Sequence, residues 1–157
     1  VLKAFQNIGN KDIKLVFTGA KKNAYRHVIN FIRENNLNTQ VEILGYVSDD
    51  EMLNLYFHAK CVIFASVCGP TNIPPIEAIM LAKPLLCSKK YAMREQCGNA
   101  ALYFDPLNVD ELSSCMMNIL EDEDLSSKLA KEAAVRASMF SVDKLSNNLD
   151  TMIGSLK

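Results

Sequence analysis

Cys61-Val62-Ile63-Phe64-Ala65-Ser66-Val67-Cys68-Gly69-Pro70-Thr71-Asn72-Ile73-Pro74-Pro75-Ile76-Glu77-Ala78 is the stretch that decides the fold. Its first five residues are an uninterrupted apolar run of strand length. Such a run is expected of a strand covered on both faces, the situation of a parallel sheet. From Cys68 to Pro75 the composition is that of a loop, with Gly69 and Pro70 building a turn. A helix is predicted to start near Pro74 or Pro75, because the N–H that proline lacks has no partner in a first helical turn. A buried strand, a short loop and a helix make one βα unit.

The same alternation runs outward in both directions. Upstream, Val1, Ala4, Phe5 and Ile8 have helical spacing, and Lys14-Leu15-Val16-Phe17-Thr18 is a strand ending at Gly19. Ala24, Val28, Phe31 and Ile32 follow as a helical face that Asn35-Asn36 breaks, and Val41-Glu42-Ile43-Leu44 is a strand closing at Gly45. Ser48-Asp49-Asp50-Glu51 is a capping box opening a helix with Met52, Leu55, Tyr56 and Ala59 on one face. Downstream, Pro84-Leu85-Leu86-Cys87 and Ala101-Leu102-Tyr103-Phe104 read as strands. Asn108, with Glu111 three residues on, caps a helix whose stripe is Leu112, Cys115, Met116, Ile119 and Leu120. Two further helical patterns run through Leu125, Leu129, Ala133 and Ala137, and through residues 142–156. Strands alternating with helices predict an α/β chain: a Rossmann-like, mostly parallel sheet with helices on both faces. Such sheets bind ligands beyond the carboxyl ends of their strands. The loops at Gly19, Gly45 and Gly69 are therefore where function is sought.

The chemistry of residues 66–78 follows from the same physics. Thr71 and Asn72 offer short polar side chains at the crevice, and the helix behind them points its positive end at the same space. That is an anion site in outline, although the dipole contributes only about 0.3–1 kcal/mol. Glu77 would repel a phosphate in direct contact. It suits neutral hydroxyls instead, and the adjacent pair on a ribose can be accepted by one carboxylate.

Composition narrows the classes. At 157 residues the chain fits one domain, and a net charge of −1 argues against a nucleic-acid binder. The lysine doublets Lys21-Lys22 and Lys89-Lys90 read as solvated surface. The cysteines, Cys61, Cys68, Cys87, Cys97 and Cys115, are odd in number and lack the C-x-x-C spacing. They read as reduced small hydrophobes, which favours the cytoplasm. His27 and His58 have no ligand spacing to a cysteine cluster, so no zinc site is expected. No stretch approaches the length of a membrane span. The opening at Val1, already inside a helical pattern, reads as the start of a piece of a longer chain.

Taken together, these segments resemble the retaining glycosyltransferases of GT-B fold, the large group typified by glycogen synthase-like and lipopolysaccharide sugar transferases. The family pattern Ser-x-x-Glu-Gly-Phe-Gly-Leu-Pro-x-x-Glu-Ala is similar to residues 66–78. Lys14 to Gly19, Leu44-Gly45-Tyr46-Val47 with Ser48 to Tyr56, Ala82-Lys83-Pro84, and Glu95 to Asp105 with Pro106 resemble further family segments in the family's order. The resemblance implies a single donor-binding domain over residues 1–157, with the acceptor-binding N-terminal domain outside this chain. By position, Glu77 matches the glutamate that holds the donor ribose. Gly69, Pro70, Thr71, Asn72 and Ile73 match the loop that meets the sugar and diphosphate. Gly45, Tyr46 and Val47 match the segment beside the nucleobase, and Gly19 a glycine that lets the backbone approach the donor. The first glutamate of the family pair is absent; Gly69 stands in its place, and Pro70-Thr71-Asn72 replaces Gly-Phe-Gly. Asn72 and Thr71 are the candidates to bond the sugar in its stead.

The implied function is transfer of a sugar from a nucleotide-sugar to an acceptor with retention of configuration. The implied substrate is a UDP-, GDP- or ADP-sugar, with no metal or other cofactor. The basic residues that neutralise the departing diphosphate lie upstream in the family, so no catalytic residue is assigned here. The partner is the missing N-terminal domain, through which the chain admits peripheral membrane association. Two other readings stay open: half of a nucleotide-sugar epimerase, and a Rossmann-like binding or interaction module without chemistry.

Overall fold

The computed structural model describes residues 1–68, 72–90 and 92–141. Five strands alternate with helices along the chain: α1 (Leu2–Ile8), β1 (Leu15–Thr18), α2 (Tyr25–Glu34), β2 (Val41–Gly45), α3 (Asp49–His58), β3 (Val62–Phe64) and α4 (Ile73–Met80) come first. Then follow β4 (Leu85–Ser88), α5 (Met93–Cys97), β5 (Ala101–Phe104), α6 (Val109–Glu121) and α7 (Glu123–Ala137), closed by a 3-10 turn over Ser138–Phe140. Each expected strand is present with its ends within a residue or two. The short helix α5 was not expected, since five residues are too few to display a period. The helical pattern over 142–156 lies outside the described residues.

Local chemistry sets the boundaries. Ser48 Oγ accepts from the Glu51 amide at 3.3 Å while Glu51 Oε2 accepts from the Ser48 amide at 2.7 Å, the reciprocal box expected of that sequence. Asn108 Oδ1 accepts from the Glu111 amide at 3.0 Å, and Asp122 Oδ1 from Leu125 at 2.8 Å. The second cap divides what would be one long helix into α6 and α7. Asn36 stops α2 in the left-handed region at φ 55°, which asparagine tolerates better than most residues. Ala82 ends α4 the same way at φ 51°, with Lys83 N donating to Ala78 O at 2.9 Å. An alanine there carries strain that glycine would not.

All strand pairs are parallel, in two ladders: β1–β2 and β3–β4–β5. Helices pack on both faces. Strand periodicity divides the residues of β4 between two cores. Leu86 joins Phe104 and the α1, α2 and α6 residues Ala4, Phe5, Ile32, Leu112 and Met116. Leu85 and Cys87 join Tyr56, Ala78, Ile79, Met93 and Ala133 of α3, α4, α5 and α7. Leu15, Phe17, Val41 and Ile43 belong to the first core, so that core runs beneath both ladders. The other face of β1–β2 stays open: Val16 is 37% exposed, Leu44 45%, and Lys14 pairs with Glu42 across it at 2.5 Å. No described helix is long and apolar enough to cross a membrane.

Candidate functional site

The carboxyl ends of β1 and β2 meet at two glycines. Gly19 N donates to Gly45 O at 2.7 Å, and their φ angles are 107° and 75°. The pairing slips just before them: Phe17 is opposite Ile43, but Thr18 is opposite Gly45, so Leu44 bulges out. A Cβ built at either glycine would meet nothing within 4 Å. Backbone conformation, rather than crowding, therefore demands glycine here, and the space beyond is open to a ligand. Tyr46 is 85% exposed and Val47 half-buried. Both line a groove of about 440 Å³ with Leu44, Glu51, Asn54, Leu55 and His58.

Across the mouth, α4 starts at Ile73, a residue earlier than expected, with Asn72 at its N-cap in extended conformation. Pro74 and Pro75 occupy the second and third helical positions, and neither has an N–H to offer. The helix end thus keeps its dipole but loses two of the donors that make such ends anion cradles. Ile73 is itself well exposed. Asn72 is held from α5: Gln96 Nε2 donates to Asn72 O at 2.7 Å, and Asn72 Nδ2 lies 3.7 Å from Met93 Sδ. Gly69, Pro70 and Thr71 lie outside the described residues.

Glu77 sits one turn into α4, half-buried, on the helix that follows β3. It is not walled off in the core. Its Oε2 accepts a hydrogen bond from Tyr56 Oη of α3 at 2.8 Å. Burial, together with the Glu77 carboxylate, pushes the Tyr56 phenol well above its ordinary value, so it acts as a neutral donor. At the end of β4, the buried Ser88 hydroxyl is the one buried side-chain polar atom among the described residues without a hydrogen-bond partner.

The lysine doublet at the neighbouring strand end is engaged. Lys89 pairs with Glu111 at 3.0 Å and Lys90 with Asp105 at 3.8 Å. The Leu107 amide, with both lysines, holds the Asp105 carboxyl below its usual value. The Asp105 amide and Lys89 do the same for Glu111. All five cysteines are free, and burial raises the Cys61 thiol to about 11. His27 and His58 are both exposed on helices. Among the described residues, no three His, Cys, Asp or Glu side chains converge as metal ligands would. A larger cavity, about 610 Å³, lies between β5 and α7 and contains none of the expected site residues.

The expected residues thus fall into two groups. Gly19 and Gly45 are joined directly by a hydrogen bond, with Tyr46 and Val47 following on. Glu77, Ile73 and Asn72 share α4 and its cap. Sequence reasoning missed Tyr56, which it placed only on an apolar stripe, and Gln96, which no period or motif marked. The third omission is Arg136 of α7. It donates to Gln96 O at 3.0 Å and also to Glu95 O. Glu95, at the start of the family-like segment, thus serves α5 through its backbone.

Comparison with known proteins bears on this arrangement. The family described as "Glycosyl transferases group 1" matches residues 1–136. O-antigen chain mannosyltransferase B of Escherichia coli is 29% identical over 101 residues, 64% of this chain and 26% of that protein. O-antigen chain mannosyltransferase RfbU of Salmonella typhimurium is 32% identical over 92 residues, 59% of this chain and 26% of that one. Among solved structures, a glycosyltransferase from Rickettsia africae superposes with a TM-score of 0.86 at 22% identity, covering 99% of this chain and 43% of the other. Anabaena HepE in complex with UDP and glucose gives 0.86 at 18% identity, covering 98% and 43%. The chain therefore spans about a quarter of these curated relatives.

Proposed function

Since the chain belongs to the group 1 glycosyl transferases, we propose that it is the donor-binding half of an enzyme moving a sugar from a nucleotide-sugar to an acceptor with retention of configuration. The observation that carries this reading is Glu77: a half-buried carboxylate on the helix after β3, held on one oxygen and able to accept ribose hydroxyls. The positive-φ glycines, Gly19 and Gly45, leave space for close backbone approach. The groove by Tyr46 and Val47 is suited to a flat base.

With two donors removed by proline, α4 gives the diphosphate mainly its dipole. The loop through Gly69, Pro70, Thr71 and Asn72 meets the sugar and diphosphate, and the main neutralising charge comes from basic residues upstream of α1. The two curated relatives described above are named as mannosyltransferases, and HepE was solved with UDP and glucose. UDP-sugars are therefore the donors to try first, with GDP- and ADP-sugars beside them. Five free cysteines fit a reducing compartment, the cytoplasm.

Calorimetric titration of the full-length protein with UDP, GDP and ADP tests the reading. Glu77→Ala should weaken the preferred nucleotide about ten- to a hundredfold, the loss expected when hydrogen bonds to a charged group are removed. Unchanged affinity in a folded variant would take Glu77 out of the site.

A further inference from the structure

We propose that Tyr56 is the positioning residue for Glu77: its hydroxyl fixes the carboxylate so that the remaining acceptor sites face the two ribose hydroxyls of the donor. This rests on the reading of Glu77 as the ribose-binding residue. Tyr56 Oη donates to Glu77 Oε2 at 2.8 Å, and Tyr56 is only 8% exposed, so its ring is fixed by packing in the second core. The bond leaves Oε1 with both lone pairs and Oε2 with one, enough for two hydroxyl donors.

The helix that presents Tyr56 is pinned at both ends. Ser48 and Glu51 close the capping box at its start. At its end Lys83 Nζ donates to Phe57 O at 2.6 Å and contacts Ala59 O at 3.5 Å. A glutamate free to rotate loses side-chain entropy on being ordered. A partner that orders it during folding removes that cost from the binding step. Packing alone would be met equally well by phenylalanine. The hydroxyl has a use only through the carboxylate. Because α3 begins directly after Tyr46 and Val47, the same rigid helix also links the expected base segment to the ribose contact.

The test compares UDP and GDP with their 2′,3′-dideoxy forms on the full-length protein, for wild type, Tyr56→Phe and Glu77→Ala. Tyr56→Phe should weaken the ribonucleotide about tenfold, as loss of one hydrogen bond to a charged group does, and leave the dideoxy form unchanged. In steady state the loss should fall on the donor KM rather than on kcat. Glu77→Ala should abolish the preference for ribose, and adding Tyr56→Phe to it should then change nothing. Because both nucleotides are read on one protein, a general loss of stability cancels from the ratio. If Glu77→Ala removes the preference but Tyr56→Phe leaves it intact, or weakens both nucleotides equally, the positioning role is overturned. If Glu77→Ala retains the preference, or neither nucleotide binds, the ribose reading itself fails.

Discussion

The ladders β3–β4–β5 and β1–β2 are built from similar apolar residues in similar parallel strands, yet only the first is covered on both faces. Every β4 residue is buried, Leu86 toward one core and Leu85 and Cys87 toward the other. On β1–β2 only the face carrying Leu15, Phe17, Val41 and Ile43 is buried; Val16, Glu42 and Leu44 look outward. The difference matches what each side contributes to the mouth. The three-stranded side holds a carboxylate through side chains anchored in packing. The two-stranded side offers main chain at two glycines, which needs conformation rather than a second core.

The largest effect expected from this contrast is on stability. Leu86→Ala should cost about 2–5 kcal/mol in denaturant unfolding, as a fully enclosed leucine does. Val16→Ala, on the open face, should cost well under about 1 kcal/mol. Comparable losses would mean that the outer face of β1–β2 is covered after all.

A smaller effect, of opposite sign, lies at the turn leading into β4. Ala82→Gly should stabilise by about 1 kcal/mol, because an L-residue in the left-handed region costs about 1–2 kcal/mol and glycine returns part of that in chain entropy. A lower melting temperature would show that Ala82 has contacts outweighing its φ.

The smallest effect is in acid, and both sides of the sheet should show it. Ser48 lowers the Glu51 carboxyl beside β2, and the Asp105 amide with Lys89 lowers that of Glu111 beside β5. A depressed folded-state value stabilises above the ordinary glutamate pKa of 4.5, and the gain is lost as pH falls through the lowered value. Glu51→Gln and Glu111→Gln should therefore lower the melting temperature at neutral pH and match wild type near the bottom of the titration. A penalty that persists in acid would assign their role to shape instead of charge.

Much of this was legible because it is local. The run Cys61–Ala65 announced a strand sandwiched between layers, and Val62 and Phe64 indeed serve one core while Ile63 serves the other. The box at Ser48 and the cap at Asn108 are contacts three residues apart, within reach of a reading by eye. Pro74 and Pro75 were legible too, but their missing N–H groups have structural weight only once the helix is known to begin at Ile73. Tyr56 was not legible as a partner. A tyrosine at helical spacing looks the same whether its hydroxyl faces water or a carboxylate on another helix. Gln96 and Arg136 are similar cases: their acceptors are main-chain carbonyls on other segments, and no pattern of residue types records a carbonyl.

The bonds from Arg136 to the α5 carbonyls, and from Gln96 on to Asn72, act as a stay running from the outermost helix to the lip of the crevice. The N-cap of α4 is then braced from behind, by a guanidinium that belongs to α7. Trimming the protein within α7 would slacken that stay. The mouth would lose its shape while every residue facing it remained in the chain.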